Sequence, residues 1–284
     1  RKQTNYSGKS SFTSETILAL NLEKIKILYD SLFQKDKIFI IANGNFDKAK
    51  FKKQLNENFG KITLNENPTK NENQKISFDF SNTTTEINEN EKNAVEFACS
   101  YKKLPRICDN EKLFAACYVA NLMYSDILYN IVREQNGACY SVFSNVNLSK
   151  NPILICVGYR ITDRKKFFEG IEQSKKIFAQ GKIIQASSSG IGHSSEFLGF
   201  ETVDATKKLE SYKNILINRL YGDIFTSKQI CSMMALSLTL GNNTEFMNDF
   251  ASTINSVTEQ DLLEAIKYIS AQNEQWFYLS NTQN

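Results

Sequence analysis

Residues 63–93 (TLNENPTKNENQKISFDFSNTTTEINENEKN) offer almost nothing that a core could bury, and they break the chain in two. The tract is Asn, Glu, Lys and Thr with one brief alternation at ISFDF, the composition of a linker. The chain therefore reads as residues 1–62, the end of a preceding unit, a linker over 63–93, and a second unit over 94–284. Within the first part, Asn21 can cap a helix with Leu22, Ile25, Leu28, Tyr29 and Leu32 on one face. KIFIIAN (37–43) is a short apolar run that predicts a buried strand. After Gly44, Asp47 can cap a helix carrying Phe51, Leu55 and Phe59 that stops at Gly60. A helix, a strand and a helix pack only where a sheet lies elsewhere to receive them, so this segment resembles the close of a domain more than its start. The opening residue is Arg1, with no initiator Met and no signal peptide, which fits a piece of a longer polypeptide.

The second part predicts an α+β domain. AVEFACSY (94–101) reads as a strand and 110–130 as a long helix apolar nearly all round. YSVFSNV (140–146) and ILICVGY (153–159) read as adjacent strands joined by a polar turn at 147–151. Phe167, Phe168, Ile171 and Phe178 mark a helix over 163–179. The tail carries several helices, the last capped by Thr258 with Asp261 at its third position, and QWFYL (275–279) can close the sheet. The expected architecture is a two-layer sandwich, a mostly antiparallel sheet with helices on one face.

Several chemistries are excluded. A net charge of +3 is too small for an electrostatic nucleic-acid binder, and no run approaches the roughly 18 apolar residues that span a bilayer. The one histidine, His193, rules out both orientations of a two-histidine zinc helix. It sits in SSGIGHSSEF, a Gly/Ser-rich loop without the nucleophile elbow of a Ser-His-Asp enzyme. The six cysteines include no C-x-x-C pair, so they supply no zinc site. Several lie in apolar runs, which predicts buried free thiols and a cytoplasmic or other reducing compartment. Gly8-Lys9-Ser10 lacks the earlier glycine and the strand of a phosphate loop.

LYNIVREQNGACYSVFS (128–144) carries the chemistry. Arg133 ends the long helix, Gly137 permits a sharp turn and Tyr140 opens a strand, so a guanidinium and a phenol can meet on one side of the sheet. Both donate hydrogen bonds and could hold a backbone carbonyl or the oxyanion that develops from it. The same spacing also suits an Arg133–Glu134 pair with Tyr140 packed beside it.

Arg133-Glu134-Gln135-Asn136-Gly137-Ala138-Cys139-Tyr140-Ser141-Val142 resembles the Arg-Glu-x-x-Gly-x-x-Tyr-Ser-Val signature in the C-terminal half of insulinase/pitrilysin-type zinc metallopeptidases. KIFIIANGNFDKAKFKKQLNENFGKI (37–62) is similar to the segment that closes one structural repeat of that family, and VTEQDLLEAIKYI (257–269) to its closing helices. Asn136-Gly137-Ala138 is similar to a Gly-Gly-Ala stretch of the presequence-degrading branch. The resemblance runs over about residues 15–284. It implies paired α+β repeats that enclose an unfolded peptide, with zinc and the inverted His-x-x-Glu-His motif in an N-terminal half, in the same or another chain. It implies that Arg133 holds a substrate carbonyl and that Tyr140 stabilises the oxyanion. Cys139 departs from the family, which has a small residue such as Ala or Gly there. The metal half is missing, so zinc would belong to the complete enzyme and this chain alone would not cleave. Two other readings stand beside this one: a non-catalytic scaffold of the same fold, and an independent module that binds a peptide or protein.

Overall fold

The computed structural model describes residues 17–32, 38–60, 80–89, 95–149, 151–189, 196–222, 226–239 and 246–281. Gly8-Lys9-Ser10 and His193 lie outside them. The chain divides into two compact units, Arg1–Asp79 with Ile224–Thr239, and Phe80–Asp223 with Leu240–Asn284.

In the first unit, local signals set the helix starts. The Asn21 side chain accepts the Lys24 N–H at 2.9 Å and opens α1 (Leu22–Leu32). The Asp47 carboxylate accepts the N–H groups of Ala49 and Lys50 at 2.8 and 3.0 Å and opens α2 (Lys48–Asn58). Phe46, just before that cap, packs on Phe51 in the first turn with ring centroids 5.0 Å apart, a hydrophobic staple. The strand expected at 37–43 does not form over 38–43, where Ile38, Phe39 and Ile40 are exposed. Strand formation needs a partner ladder, and the described residues of this unit contain no other strand.

The second unit is built on a five-stranded sheet. Its strands are β1 (Thr84–Glu89), β2 (Phe97–Lys103), β3 (Cys139–Asn147), β4 (Ile153–Ile161) and β7 (Gln275–Asn281), in the order β1-β7-β2-β4-β3. Only β1 and β7 run parallel, and the remaining pairs are antiparallel. Residues 84–89, read as linker, instead form an edge strand whose polar residues suit its exposed position. QWFYL joins the sheet as the last strand of the chain, as expected, and lies between β1 and β2. A second sheet, the hairpin of β5 (Lys182–Ser189) and β6 (Glu196–Asp204), was not foreseen, because KIIQASSS lacks a sustained alternation.

Burial alternates along β2, which sets one face of the sheet against helices. The central helix, α3 (Glu111–Leu128), starts where the Asn110 side chain accepts the Leu113 N–H. It is flanked by β3, α4 (Arg164–Ala179), α7 (Phe246–Asn255) and α8 (Glu259–Ala271), which explains why it is apolar nearly all round. Phe114, Phe167 and Phe250 are fully enclosed, each contributing about 1.5–3 kcal/mol of burial. Two further helices, α5 (Leu209–Gly222) in this unit and α6 (Ser227–Thr239) in the first, complete the described set. Thr258 and Asp261 form a reciprocal capping box at the start of α8.

Glycine is required at one crossing: a Cβ on Gly158 of β4 would lie 2.4 Å from the Phe167 ring. Nearby, a charged group is enclosed between sheet and helices. Glu274 takes the Ser100 hydroxyl at 2.6 Å and lies 2.7 Å from Lys175 Nζ and 3.9 Å from Lys102 Nζ. Burial pushes the Glu274 carboxyl up, but Lys102 and Lys175 outweigh it and hold the group below the usual carboxylate range.

Candidate functional site

After Leu128 the central helix widens into one π-helical stretch, Tyr129–Gln135. The wider turn is closed by Asn136 N–H donating to the Ile131 carbonyl, five residues back, at 3.0 Å. Such stretches are rare and recur at functional sites because they shift side chains off the regular helical stripe. Asn130 anchors this one by donating to the Ile184 carbonyl at 2.7 Å. Gly170 of α4 lets it approach closely, since a Cβ there would sit 2.8 Å from Asn136 Nδ2 and 3.1 Å from Val132 Cγ2. Gly137 follows with φ 59°, the left-handed turn expected of it. Its N–H donates to the Arg133 carbonyl at 2.9 Å, and the chain enters β3.

This geometry brings the two expected residues together. The Arg133 guanidinium carbon lies 5.6 Å from the Tyr140 ring centroid and 4.9 Å from that of Tyr129. Arg133 also meets Glu134, with Nε 3.4 Å from Oε1. The packed arrangement weighed in the sequence thus exists together with the proximity that the chemistry requires. Tyr140 is 61% exposed, and among the described residues no group hydrogen-bonds its hydroxyl. It stands on β3, which among the described residues is an edge strand of the sheet.

Three further residues join the cluster. Arg160 lies opposite Tyr140, between the register pairs Cys139↔Ile161 and Ser141↔Tyr159. Its guanidinium carbon is 5.6 Å from the ring centroids of both Tyr140 and Tyr159. Tyr129, Arg133, Tyr140, Arg160 and Tyr159 therefore alternate ring and cation in one continuous row. Each cation–ring contact is worth about 0.5–1 kcal/mol at an exposed site. Arg160 has φ 51°, the only positive φ at a non-glycine residue among those described. That conformation costs on the order of 1–2 kcal/mol, and strain of this kind collects at functional sites. The alternation along β4 breaks there, leaving Tyr159 and Arg160 both exposed before Ile161 is buried again.

The neighbouring Glu134 carboxylate holds the Tyr129 phenol above its ordinary range. Cys139, beneath the row, is buried, and burial pushes its thiol up to about 11. Tyr129 was within reach of sequence reasoning as the residue one helical turn before Arg133. Arg160 required the hairpin register, which the short turn between β3 and β4 determines.

Among the described residues no three His, Cys, Asp or Glu side chains converge to hold a metal ion. The described residues therefore do not fit a zinc centre. No helix among them is long and apolar enough to cross a membrane.

A sequence profile described as the peptidase M16 inactive domain matches residues 19–181, more than half the chain and the whole Arg133–Tyr140 block. The chain belongs to the peptidase M16 family. A search of curated protein sequences finds no match. Among solved structures, a protease from Helicobacter pylori superposes with a TM-score of 0.68 at 11% identity, over 94% of this chain and 61% of that one. The first half of the periplasmic protease PqqL from Escherichia coli gives 0.62 at 13% identity, over 95% and 56%. A chain of Complex III2 from Candida albicans gives 0.59 at 14% identity, over 83% and 53%. The chain thus spans less than two thirds of each of these proteins. The expected sandwich is the fold shared with these structures, and the matched domain is the family's inactive one.

Proposed function

We propose that this M16 domain serves as the substrate-holding part of a zinc peptidase whose metal ligands lie elsewhere, in the same or another chain. The observation that carries this reading is the row of rings and cations at the start of β3, with the Tyr140 hydroxyl free beside two guanidinium groups. An extended, unfolded peptide can be recognised through backbone pairing, which reads extension rather than sequence. Arg133 then donates to a substrate carbonyl, and the Tyr140 hydroxyl donates to the oxygen on which charge develops. Arg133 would leave Glu134 for the substrate, an exchange made cheap by the exposure of that pair. Zinc belongs to the other part of the enzyme in this reading. Buried thiols such as Cys117 and Cys156 suit a cytoplasmic or other reducing compartment.

The test is made in the complete enzyme. Tyr140→Phe removes one oxyanion donor and is expected to lower kcat about 10²–10³-fold with the fold intact. Arg133→Ala is expected to lower kcat/KM, and unchanged kcat/KM in both variants would refute the roles. A second reading, a non-catalytic scaffold, is favoured by the description of the matched domain as inactive and by the existing Arg133–Glu134 pair. A native complex that cleaves no unstructured peptide, with zinc supplied, supports that reading instead.

A further inference from the structure

We infer that Arg160 is a specificity residue that binds a carboxylate of the peptide, so that the site prefers substrates with an acidic group near the scissile bond. This rests on the reading of Arg133 and Tyr140 as the substrate-holding pair. Arg133 already faces Glu134 at 3.4 Å, whereas Arg160 has no ion pair among the described residues. It is therefore the uncompensated charge of the row. It is also positioned rather than loose. Two tyrosine rings lie 5.6 Å from the guanidinium carbon, and a residue with φ 51° breaks the burial alternation to leave it at the surface.

The placement matters for what it would meet. Arg160 lies across from Tyr140 between the register pairs Cys139↔Ile161 and Ser141↔Tyr159, with its guanidinium carbon 5.6 Å from the Tyr140 ring. A peptide whose carbonyl reaches the Tyr140 hydroxyl must therefore pass the Arg160 guanidinium with a neighbouring group. The guanidinium has no carboxylate partner among the described residues, so its planar fork of N–H groups can take a planar acceptor, and a carboxylate matches that fork. The carboxylate comes either from an Asp or Glu side chain or from the C-terminus of a short peptide.

The complete enzyme is assayed on a neutral fluorogenic peptide, on versions with Asp replacing the residue at each position flanking the cut, and on C-terminally amidated and free-acid forms. The wild type is expected to favour the carboxylate-bearing member by about three- to fivefold in kcat/KM, as suits an exposed charge pair. A preference for Asp peptides identifies a side-chain carboxylate, and a preference for free acids identifies the terminus. Arg160→Gln and Arg160→Gly should both abolish the preference, lowering kcat/KM on the carboxylate-bearing member about three- to fivefold more than on the neutral amide. Arg160→Gly should melt close to wild type, because glycine adopts a positive φ without strain while the two ring contacts are lost. If the preference survives both variants, or if both lose activity equally on charged and neutral peptides, the inference is overturned. Tyr140→Phe separates the two proposals, since it should slow all peptides alike and leave the ratio untouched. In a complex that cleaves nothing, the same ratios are read from peptide Kd values by fluorescence anisotropy.

Discussion

Replacing Glu274 with Gln keeps the shape of the side chain but removes the charge that two lysines face. Lys102 would suffer most. Its side chain is only 7% exposed, and its remaining partner is the Ile269 carbonyl at 3.4 Å. Lys175 is 26% exposed and can rely on Glu172 at 2.7 Å, so it contributes less. Breaking a buried pair from one side costs about 3–5 kcal/mol. The relief open to Lys175 argues for the lower end, about 3 kcal/mol. For a unit of this size that is a fall of about 6–12 °C in Tm. Adding Lys102→Met should recover most of it, because the pair replaced by apolar groups is often near neutral. The pH dependence has a definite sign. The folded Glu274 pKa lies below its unfolded value. Its stabilisation is thus complete above the ordinary glutamate value of about 4.3 and is lost as pH falls through the folded value. Wild type should lose Tm more steeply than Glu274→Gln below about pH 4.3, as followed by circular dichroism melts from pH 7 to 3. A fall of less than about 2 °C at pH 7, or no rescue by Lys102→Met, would refute the account of Glu274 as the counter-charge of a buried lysine.

Two further outcomes follow from packing. Gly158→Ala forces a Cβ into the enclosed Phe167 ring, and should cost about 1–3 kcal/mol, measured by urea unfolding. In the native protein at pH 8, iodoacetamide should label exposed Cys108 first and spare Cys117, Cys139 and Cys156, whose thiols are pushed up by burial. All six should react once the chain is denatured without reductant, and fewer than six would mean that the free-thiol assignment fails.

What could be read from the sequence was local. Asn21, Asp47 and Thr258 announce their helices because the donors they satisfy lie within three residues. Arg133 and Tyr140 could be brought together because only one turn separates them, and Gly137 makes that turn. The π-helical turn left no mark in the apolar pattern, since it continues a helix already apolar on every side. Arg160 was missed because the strand around it was read only to Tyr159, and its outward placement depends on a positive φ that Arg does not signal. The strand expected at 37–43 shows the converse error, an apolar run with no partner strand among the described residues of its unit. β1 was hidden for a third reason. Its partner is 192 residues away, and its own sequence is that of a solvated edge.

That distant partner has a consequence for how the second unit is made. Emerging from a ribosome, β2 can find β4 within a few dozen residues, and β3 with it. The strip between β1 and β2 stays open, however, until Gln275–Asn281 has been synthesised. Until then β2 shows an unpaired edge to the cell, and β1 has nothing to hold. Late closure of a non-local sheet is slow and exposes the nascent chain to aggregation. The yield of folded protein should therefore depend on whatever shields that gap during synthesis.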